Sequence, residues 1–136
     1  MRAIATLLLL SACATTQAPP AERLRGCWIE RSNVGGAVTM RWLPDANGEL
    51  RGDLLRYSTS GASGRERYVL RNREGADVLC QIGEAETCWT VAQGDSGSLE
   101  GGRAFIDQYG GDRIRISVID TRGQRVIFQG DRDGCD

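Results

Sequence analysis

The clearest structural signal in this chain is the segment Arg113-Ile114-Arg115-Ile116-Ser117-Val118-Ile119-Asp120. Its apolar residues Ile114, Ile116 and Val118 alternate with polar ones. Successive side chains of a β-strand point to opposite faces of the sheet, so this alternation is typical of a strand with one buried face. The segment therefore predicts a strand that contributes its apolar side chains to a hydrophobic core.

The same alternation recurs along the chain outward from that segment. Val38, Met40 and Trp42 alternate with Thr39 and Arg41, and similar patterns occur near residues 78–82 and 125–128. Clusters rich in glycine, serine and asparagine separate these runs, and glycine occurs 18 times, which suits many tight turns. No window shows a convincing helical period. We predict eight or nine strands, at about 26–32, 37–44, 49–57, 66–72, 76–82, 87–93, 98–107, 112–120 and 124–130.

Consecutive strands with short connections predict one all-β domain built as an antiparallel meander. A meander of this length removes its exposed edges most simply by closing into an up-and-down barrel. The alternative is a two-sheet β-sandwich. The 136 residues suffice for a single core, which we assign to residues 23–136.

The amino terminus carries a separate signal. Arg2 supplies a positive start, an apolar run extends from Ala3 to Leu10, and small residues follow. An apolar run of about eight residues is far shorter than the roughly 20 that span a bilayer. This pattern is typical of a secretory signal peptide.

Leu10-Ser11-Ala12-Cys13 resembles the lipobox of bacterial lipoproteins. The resemblance implies a signal peptide at residues 1–12, cleavage before Cys13 and lipidation of the Cys13 thiol, which would anchor the protein to a membrane. Residue 14 is Ala14 and not the aspartate that retains lipoproteins in the inner membrane, which implies the outer membrane, facing the periplasm. The alternative is an ordinary signal peptide in which Cys13 is accidental. Residues 13–22 are small, polar and proline-bearing, which predicts a flexible tether.

Four further cysteines, an even number in an exported domain, predict two disulfides. Three pairings are possible, and we favour Cys80 with Cys88 and Cys27 with Cys135. A hairpin centred on Glu84 would place Cys80 directly opposite Cys88, and the second pair would tie the first strand to the chain end. A four-thiolate zinc site is the alternative, but the chain has no Cys-x-x-Cys pair, so we predict no metal site.

The charged residues exclude several function classes. All 17 basic residues are arginine, histidine is absent, and the formal net charge is −1. A Ser-His-Asp hydrolase and a histidine-ligated zinc site therefore cannot form within this chain. The near-neutral charge gives no field for recruiting nucleic acid. Carboxylate pairs such as Asp53 with Glu66 have no spacing that favours catalysis, so we predict no enzyme, no catalytic residue and no cofactor.

Gly26-Cys27-Trp28 opens the first predicted strand, and Leu24 precedes it. Together with Gly35-Gly36, Trp42, Pro44, Gly48, Gly52 and Arg56, this pattern resembles lipocalins, and in particular a short bacterial lipocalin-like family. The resemblance implies that the Trp28 indole plugs the closed end of a barrel and that a basic residue of the last strand covers it. Arg125 and Arg132 are the candidates, and Arg125 is preferred because it lies inside the last predicted strand. Gly26, Trp28 and Arg125 would then form a structural plug.

Two functional hypotheses follow, both non-catalytic: we predict binding of a small apolar ligand, and the alternative is a structural or interaction role. A small barrel can hold a small apolar ligand, and Met40, Trp42, Tyr68, Trp89 and Phe105 are the predicted lining. The same alternating side chains would equally fill a solid core. In that case the chain would be a structural or protein-interaction lipoprotein, either a partner in an envelope complex or resembling small protease inhibitors.

Overall fold

The computed structural model of the chain describes residues 18–92 and 102–135. These form a closed barrel in which each strand lies beside the next in sequence and β1 lies beside β9. The prediction of an all-β, mostly antiparallel up-and-down barrel is confirmed, and the two-sheet sandwich is not formed. The elements are α1 (Pro20–Leu24), β1 (Gly26–Arg31), β2 (Ala37–Pro44), β3 (Leu50–Ser58), β4 (Gly61–Arg73), β5 (Ala76–Ile82), β6 (Thr87–Val91), β7 (Arg103–Tyr109), β8 (Arg113–Asp120) and β9 (Gly123–Asp133).

One pair of neighbouring strands departs from the antiparallel pattern. β6 and β7 run parallel, with Thr90 beside Arg103 and Val91 beside Ala104. An odd number of strands cannot alternate in direction all the way around a closed barrel, so at least one neighbouring pair must be parallel. The odd number of strands thus accounts for the one parallel pair among the described strands.

Strand limits agree with the predictions where turns are short and differ where pairing extends a strand. β2 and β5 match at 37–44 and 76–82. β4 begins at Gly61 and not near 66, because a two-residue turn and a bulge between Arg56 and Tyr57 let its glycine- and serine-rich start pair with β3. The predicted seventh strand began at 98, but its first residues lie outside the described ranges and β7 begins at Arg103.

The amino-terminal end of the described chain closes one end of the barrel. Pro20–Leu24 forms a short helix where the sequence predicted the end of the tether, and proline in its first turn suits this start. Leu24 is fully buried, and its carbonyl accepts a hydrogen bond of 2.8 Å from Trp28 Nε1. No helix among the described residues is long and apolar enough to cross a bilayer.

Both predicted disulfides are confirmed. Cys27 is bonded to Cys135 with a Cα–Cα distance of 5.4 Å, and Cys80 is bonded to Cys88 with a distance of 4.1 Å. Cys80 and Cys88 lie directly opposite each other in the β5–β6 register. The first bond links β1 to the residues after β9, and the second joins two adjacent strands.

Large aromatic side chains fill the barrel. The largest fully buried side chains include Trp28, Trp42, Trp89 and Phe128, each at most 2% exposed. Leucine, isoleucine, valine and methionine side chains of β2 to β8 pack around them in one cluster, to which β1 contributes Trp28 and β9 contributes Phe128. The alternation seen in the sequence therefore separates a continuous apolar interior from a polar outer surface.

Gly52 is a test of how tightly this interior is packed. A Cβ at Gly52 would lie 2.7 Å from three ring carbons of Trp42, its neighbour on β2. We expect Gly52→Ala to lower the free energy of unfolding by about 1–3 kcal/mol, because overpacking displaces a buried ring. Gly64→Ala on β4 is the matched control, since its Cβ would meet only Arg56 at 3.8 Å. Urea denaturation should show a much smaller change for the control; equal changes would contradict tight packing at Gly52.

Candidate functional site

The end of the barrel near α1 is closed by a stacked pair. The Arg132 guanidinium lies 4.3 Å from the centroid of the Trp28 ring, and its Nη1 donates to the Arg25 carbonyl at 3.4 Å. Gly26 has a φ of 119° and lies directly beneath this guanidinium, where a Cβ would come within 2.9 Å of Nη1. A side chain at position 26 would therefore disturb both the backbone and the stack.

The prediction that Arg125 covers Trp28 is wrong. β9 continues to Asp133, three residues beyond its predicted end, and this extension places Arg132 directly opposite Trp28 on β1. Arg125 lies near the other end of the same strand, where its guanidinium is 5.4 Å from the centroid of the Trp89 ring. The sequence favoured Arg125 because the last strand was predicted to end at residue 130, before Arg132.

A polar cluster surrounds Trp89 at this other end of the barrel. Trp89 Nε1 donates to Asp120 Oδ2 at 3.0 Å, and Arg125 Nη1 lies 3.3 Å from the same oxygen. The Arg122 backbone N–H donates to Asp120 Oδ1 at 2.9 Å. The hydrogen bond from Trp89, followed by that from Arg122, lowers the pKa of Asp120 to about 2. We call these four residues the Asp120 cluster.

The Asp120 cluster predicts a specific dependence of stability on pH. The pKa of Asp120 is about 2 in the fold and 3.8 as a free side chain, so its ionised form stabilises the fold above about pH 4. This contribution should be lost as the pH falls from 4 toward 2. We expect Asp120→Asn to flatten the fall in urea-unfolding free energy over this window. Asp131→Asn, which removes an exposed carboxylate, is the control, and an unchanged slope in Asp120→Asn would refute the assignment.

Four of the five predicted ligand-lining residues lie in the interior. Met40, Trp42, Tyr68 and Trp89 belong to the packed core cluster, each at most 4% exposed. Phe105 does not: it lies between Ala104 and Ile106, which are the buried core residues of β7, so its half-buried side chain faces outward. Phe105 and Ile106 are adjacent and both apolar, so the sequence did not show which of them faces the core. The prediction chose Phe105, the larger side chain, whereas the structure buries Ile106.

The polar atoms of two core side chains, Tyr68 and Trp42, differ in their contacts. The Tyr68 hydroxyl lies 3.4 Å from Glu66 Oε2, and burial, followed by the Glu66 charge, raises the pKa of Tyr68. Trp42 Nε1 is buried without a hydrogen-bond partner in the described part of the chain. An unpaired buried donor costs free energy, so Trp42 is held by packing and not by its polar atom.

Asp53 and Glu66, the carboxylates considered for acid–base chemistry, face opposite sides of the sheet. Glu66 is directly opposite the core residue Leu54, so it shares the inner face, whereas Asp53 precedes Leu54 and faces outward. Each is bound to an arginine: Asp53 Oδ1 lies 2.8 Å from Arg65, and Glu66 Oε2 lies 3.3 Å from Arg56. The two carboxylates therefore cannot act on one substrate atom.

Two clefts formed by described residues lie on the outside of the barrel. The seam cleft has a volume of about 490 Å³ and lies where β1 meets β9, with Ile29, Glu30, Arg31, Arg113, Gln129, Gly130, Asp131, Arg132 and Asp133 as its lining. A second groove of about 390 Å³ runs beside Cys27 across the outer faces of β1, β2 and β3. Charged side chains dominate the lining of the seam cleft, whereas the second groove combines Arg41, Asp53, Arg65 and Asp133 with apolar side chains. The charged lining of the seam cleft suits polar partners better than apolar molecules.

The segment with the predicted signal peptide, lipobox and Cys13 lies outside the described residues. The closed nine-strand barrel is compatible with a lipocalin-like domain. Searches against protein-family models, curated proteins and solved structures found no match.

Proposed function

We propose that this chain is a lipid-anchored lipoprotein of the bacterial envelope whose lipocalin-like barrel is a non-catalytic protein-interaction module. Of the two hypotheses drawn from the sequence, the one with a filled core has the stronger support. The observation that carries this proposal is the packing of the barrel interior. A barrel whose described interior is filled by large aromatic side chains presents its outer surface to partners.

The glycines facing the core measure how little space the interior has. A Cβ at Gly52 would overlap the Trp42 ring at 2.7 Å, and one at Gly130 would overlap the Phe128 ring at 2.7 Å. At Gly102, beside Trp89, a Cβ would lie 2.9 Å from the indole. Even one added methyl group at any of these three glycines would overlap a neighbouring ring, so the interior has no room at these positions for an apolar ligand.

The outer surface supplies what an interaction module needs. Arginine and carboxylate side chains are part of the lining of both clefts, and several large apolar side chains are exposed, among them Val34, Tyr57, Tyr109 and Val126. Interfaces formed by non-obligate partners combine such apolar and polar groups in similar proportions to the rest of a protein surface. Such a mixed surface is compatible with a protein partner, whereas a small apolar molecule would need a mostly apolar pocket.

Binding of a small apolar ligand would be detected by the interior tryptophans. We expect saturating palmitate or a naphthalene-sulfonate dye to leave the tryptophan emission of delipidated protein unchanged. Cross-linking of the tethered protein in intact envelopes should instead give a discrete higher-mass product. A saturable emission shift with no such product would overturn the interaction role in favour of a carrier.

The membrane anchor is tested by the mass and location of the exported chain. We expect a product that begins at Cys13 and carries acyl chains, recovered with the membranes. Cys13→Ser should abolish both the acyl mass and the membrane association, whereas the neighbouring control Ala14→Ser should retain them. An unacylated chain beginning at Met1 would refute the anchor without bearing on the barrel interior.

A further inference from the structure

The two disulfides differ in how well an external thiol can reach them. Cys135 is exposed and lies beyond the end of β9, whereas its partner Cys27 on β1 is 8% exposed. Cys80 is 0% exposed, Cys88 is half-buried, and the two lie opposite each other in the β5–β6 ladder. Thiol–disulfide exchange begins when a thiolate attacks one sulfur, so its rate depends on access to that sulfur. Cys135 is the most exposed of these four cysteines and offers the most accessible point of attack.

An arginine lies beside the Cys27–Cys135 disulfide. Arg41 is directly opposite Cys27 in the β1–β2 register, and its Nη2 donates to the Cys135 carbonyl oxygen at 3.3 Å. Asp133 is opposite Cys27 on β9 and adds one carboxylate nearby, but the Arg41 guanidinium is the group hydrogen-bonded to the cysteine pair. A nearby guanidinium stabilises the thiolate that leaves when a disulfide is broken. Cys27 therefore has a cation beside it as a leaving group.

The Cys80–Cys88 disulfide has different surroundings. An oxygen of the Glu86 carboxylate and the two sulfurs all lie within 4.8 Å of one another. Glu86 is ion-paired with Arg71, which offsets part of its charge. Attack at Cys88 would release Cys80 as a thiolate that is fully buried and close to this carboxylate. Burial and a nearby negative charge both disfavour a thiolate, so this disulfide should resist exchange.

The accessible disulfide also holds the carboxy-terminal tail, Gly134–Cys135, against the barrel. Asp133 and Gly134 belong to the lining of the second groove, next to Cys27. The disulfide joins this tail covalently to β1, and the Arg41 hydrogen bond joins it to β2. Reduction of the disulfide would remove the covalent attachment and leave the weaker hydrogen bond. The tail would then be able to move away from the groove, which would become more open.

We propose that the Cys27–Cys135 disulfide is a site of thiol–disulfide exchange with a dithiol protein, and that its reduction releases the tail while the barrel stays folded. A thiolate of the dithiol attacks Cys135 Sγ and forms a mixed disulfide, while the bond to Cys27 breaks and Cys27 leaves as a thiolate that takes up a proton. The second thiol of the dithiol loses its proton, attacks the mixed disulfide at its own partner sulfur, and releases Cys135, which is protonated. The dithiol is thereby oxidised to a disulfide, and this chain gains two electrons and two protons.

Timed reduction under native conditions separates the two disulfides. The exported chain in mild detergent is treated with excess dithiothreitol, quenched in acid, and alkylated in denaturant for peptide mass mapping. We expect Cys27 and Cys135 to be reduced at least about tenfold faster than Cys80 and Cys88, with native tryptophan emission retained during this first phase. Faster or equal reduction of Cys80 and Cys88, or loss of native emission in step with the first phase, would overturn the proposal. This outcome is independent of the membrane anchor and of the filled interior.

The point of attack is tested with a trapping protein. A purified Cys-x-x-Cys protein whose second cysteine is replaced by serine cannot complete the exchange and stays bound as a mixed disulfide. We expect its adduct to map to Cys135, and an adduct at Cys27 or Cys88 would contradict the assigned attack.

A charge-removing variant tests the role of Arg41 as a positioning residue. Arg41→Gln keeps a hydrogen-bond donor but removes the cation, so the first reduction phase should slow by about threefold or more. Arg51→Gln, which removes an exposed arginine bound to Asp45 on β3, is the matched control and should leave the rate unchanged. Urea denaturation of both variants shows whether stability has changed. Equal rates for Arg41→Gln and the unmodified chain would refute the electrostatic part of the proposal.

Discussion

Removal of the Cys27–Cys135 disulfide is expected to lower the free energy of unfolding by about 4–5 kcal/mol. The bond joins residues 108 apart in sequence, so it restricts nearly the whole unfolded chain. It also reinforces the seam, where β1 and β9 share only three residue pairs. The double variant Cys27→Ser with Cys135→Ser should therefore lose more free energy of unfolding than a variant that lacks only the Cys80–Cys88 disulfide.

The second disulfide supplies the matched control. Cys80 and Cys88 are 8 residues apart, and the same chain-entropy relation gives only about 2–3 kcal/mol for such a loop. The hairpin already holds these cysteines in register, and urea denaturation of both double variants gives the comparison directly. An equal or larger loss for the Cys80–Cys88 pair would show that burial of Cys80, and not closure of the chain, dominates disulfide stability here.

Hydrogen exchange separates the two effects of the long-range disulfide. If the bond holds the seam in the folded state, its removal should speed exchange at Ile29 and Arg132 more than at β3 and β4. If it acts only on the unfolded chain, protection should fall by a similar factor throughout the slowly exchanging core. The short β1–β9 ladder favours the first pattern.

The sequence was sufficient for the strand pattern and for the Cys80–Cys88 disulfide because both depend on local features, and Cys27 and Cys135 are the two cysteines that then remain. Alternation reports which side of a strand is buried, and a hairpin centred on Glu84 sets the register of Cys80 and Cys88. β9 exceeded its predicted length because pairing with β1, a partner more than 100 residues away, extends it to Asp133. The identity of the arginine over Trp28 depended on that extension and could not be read locally.

The candidate site was less predictable, for a different physical reason. Alternation placed Met40 and Trp89 inside correctly, yet it does not reveal how much volume their side chains leave unfilled. That information lies in long-range contacts, such as the Trp42 ring against Gly52 and the β1 backbone against Gly130. Glycines within strands, such as Gly52 and Gly130, were the available signal of tight packing, but the sequence alone does not distinguish them from glycines of turns. Likewise, the adjacent apolar residues Phe105 and Ile106 did not show which face of β7 is buried.

Truncation of Trp28 is expected to have the second large effect. Trp28→Ala should cost about 3–5 kcal/mol, since it removes a fully buried ring at the closed end. Trp28→Phe keeps most of the volume but loses the hydrogen bond to Leu24 and weakens the stack with Arg132, which should cost about 2 kcal/mol. Thermal and urea unfolding of the purified domain measure both.

Trp42→Phe is the control that separates polar contacts from volume. Trp42 is equally buried, but its Nε1 has no hydrogen-bond partner in the described chain, so the substitution also removes an unpaired donor. We expect a cost of less than about 1 kcal/mol. Equal costs for Trp28→Phe and Trp42→Phe would mean that ring volume alone determines stability at both positions.

A double-mutant cycle assigns the remaining part of the Trp28 effect to its stacking partner. Arg132→Ala combined with Trp28→Ala should show a coupling energy of about 0.5–2 kcal/mol, because the guanidinium lies 4.3 Å from the ring. Arg125→Ala combined with Trp28→Ala should show a coupling near zero, since Arg125 lies over Trp89 at the other end of β9. Coupling of Arg125 to Trp28 that exceeded that of Arg132 would restore the assignment suggested by the sequence. It would also require β9 to pair with β1 in a different register.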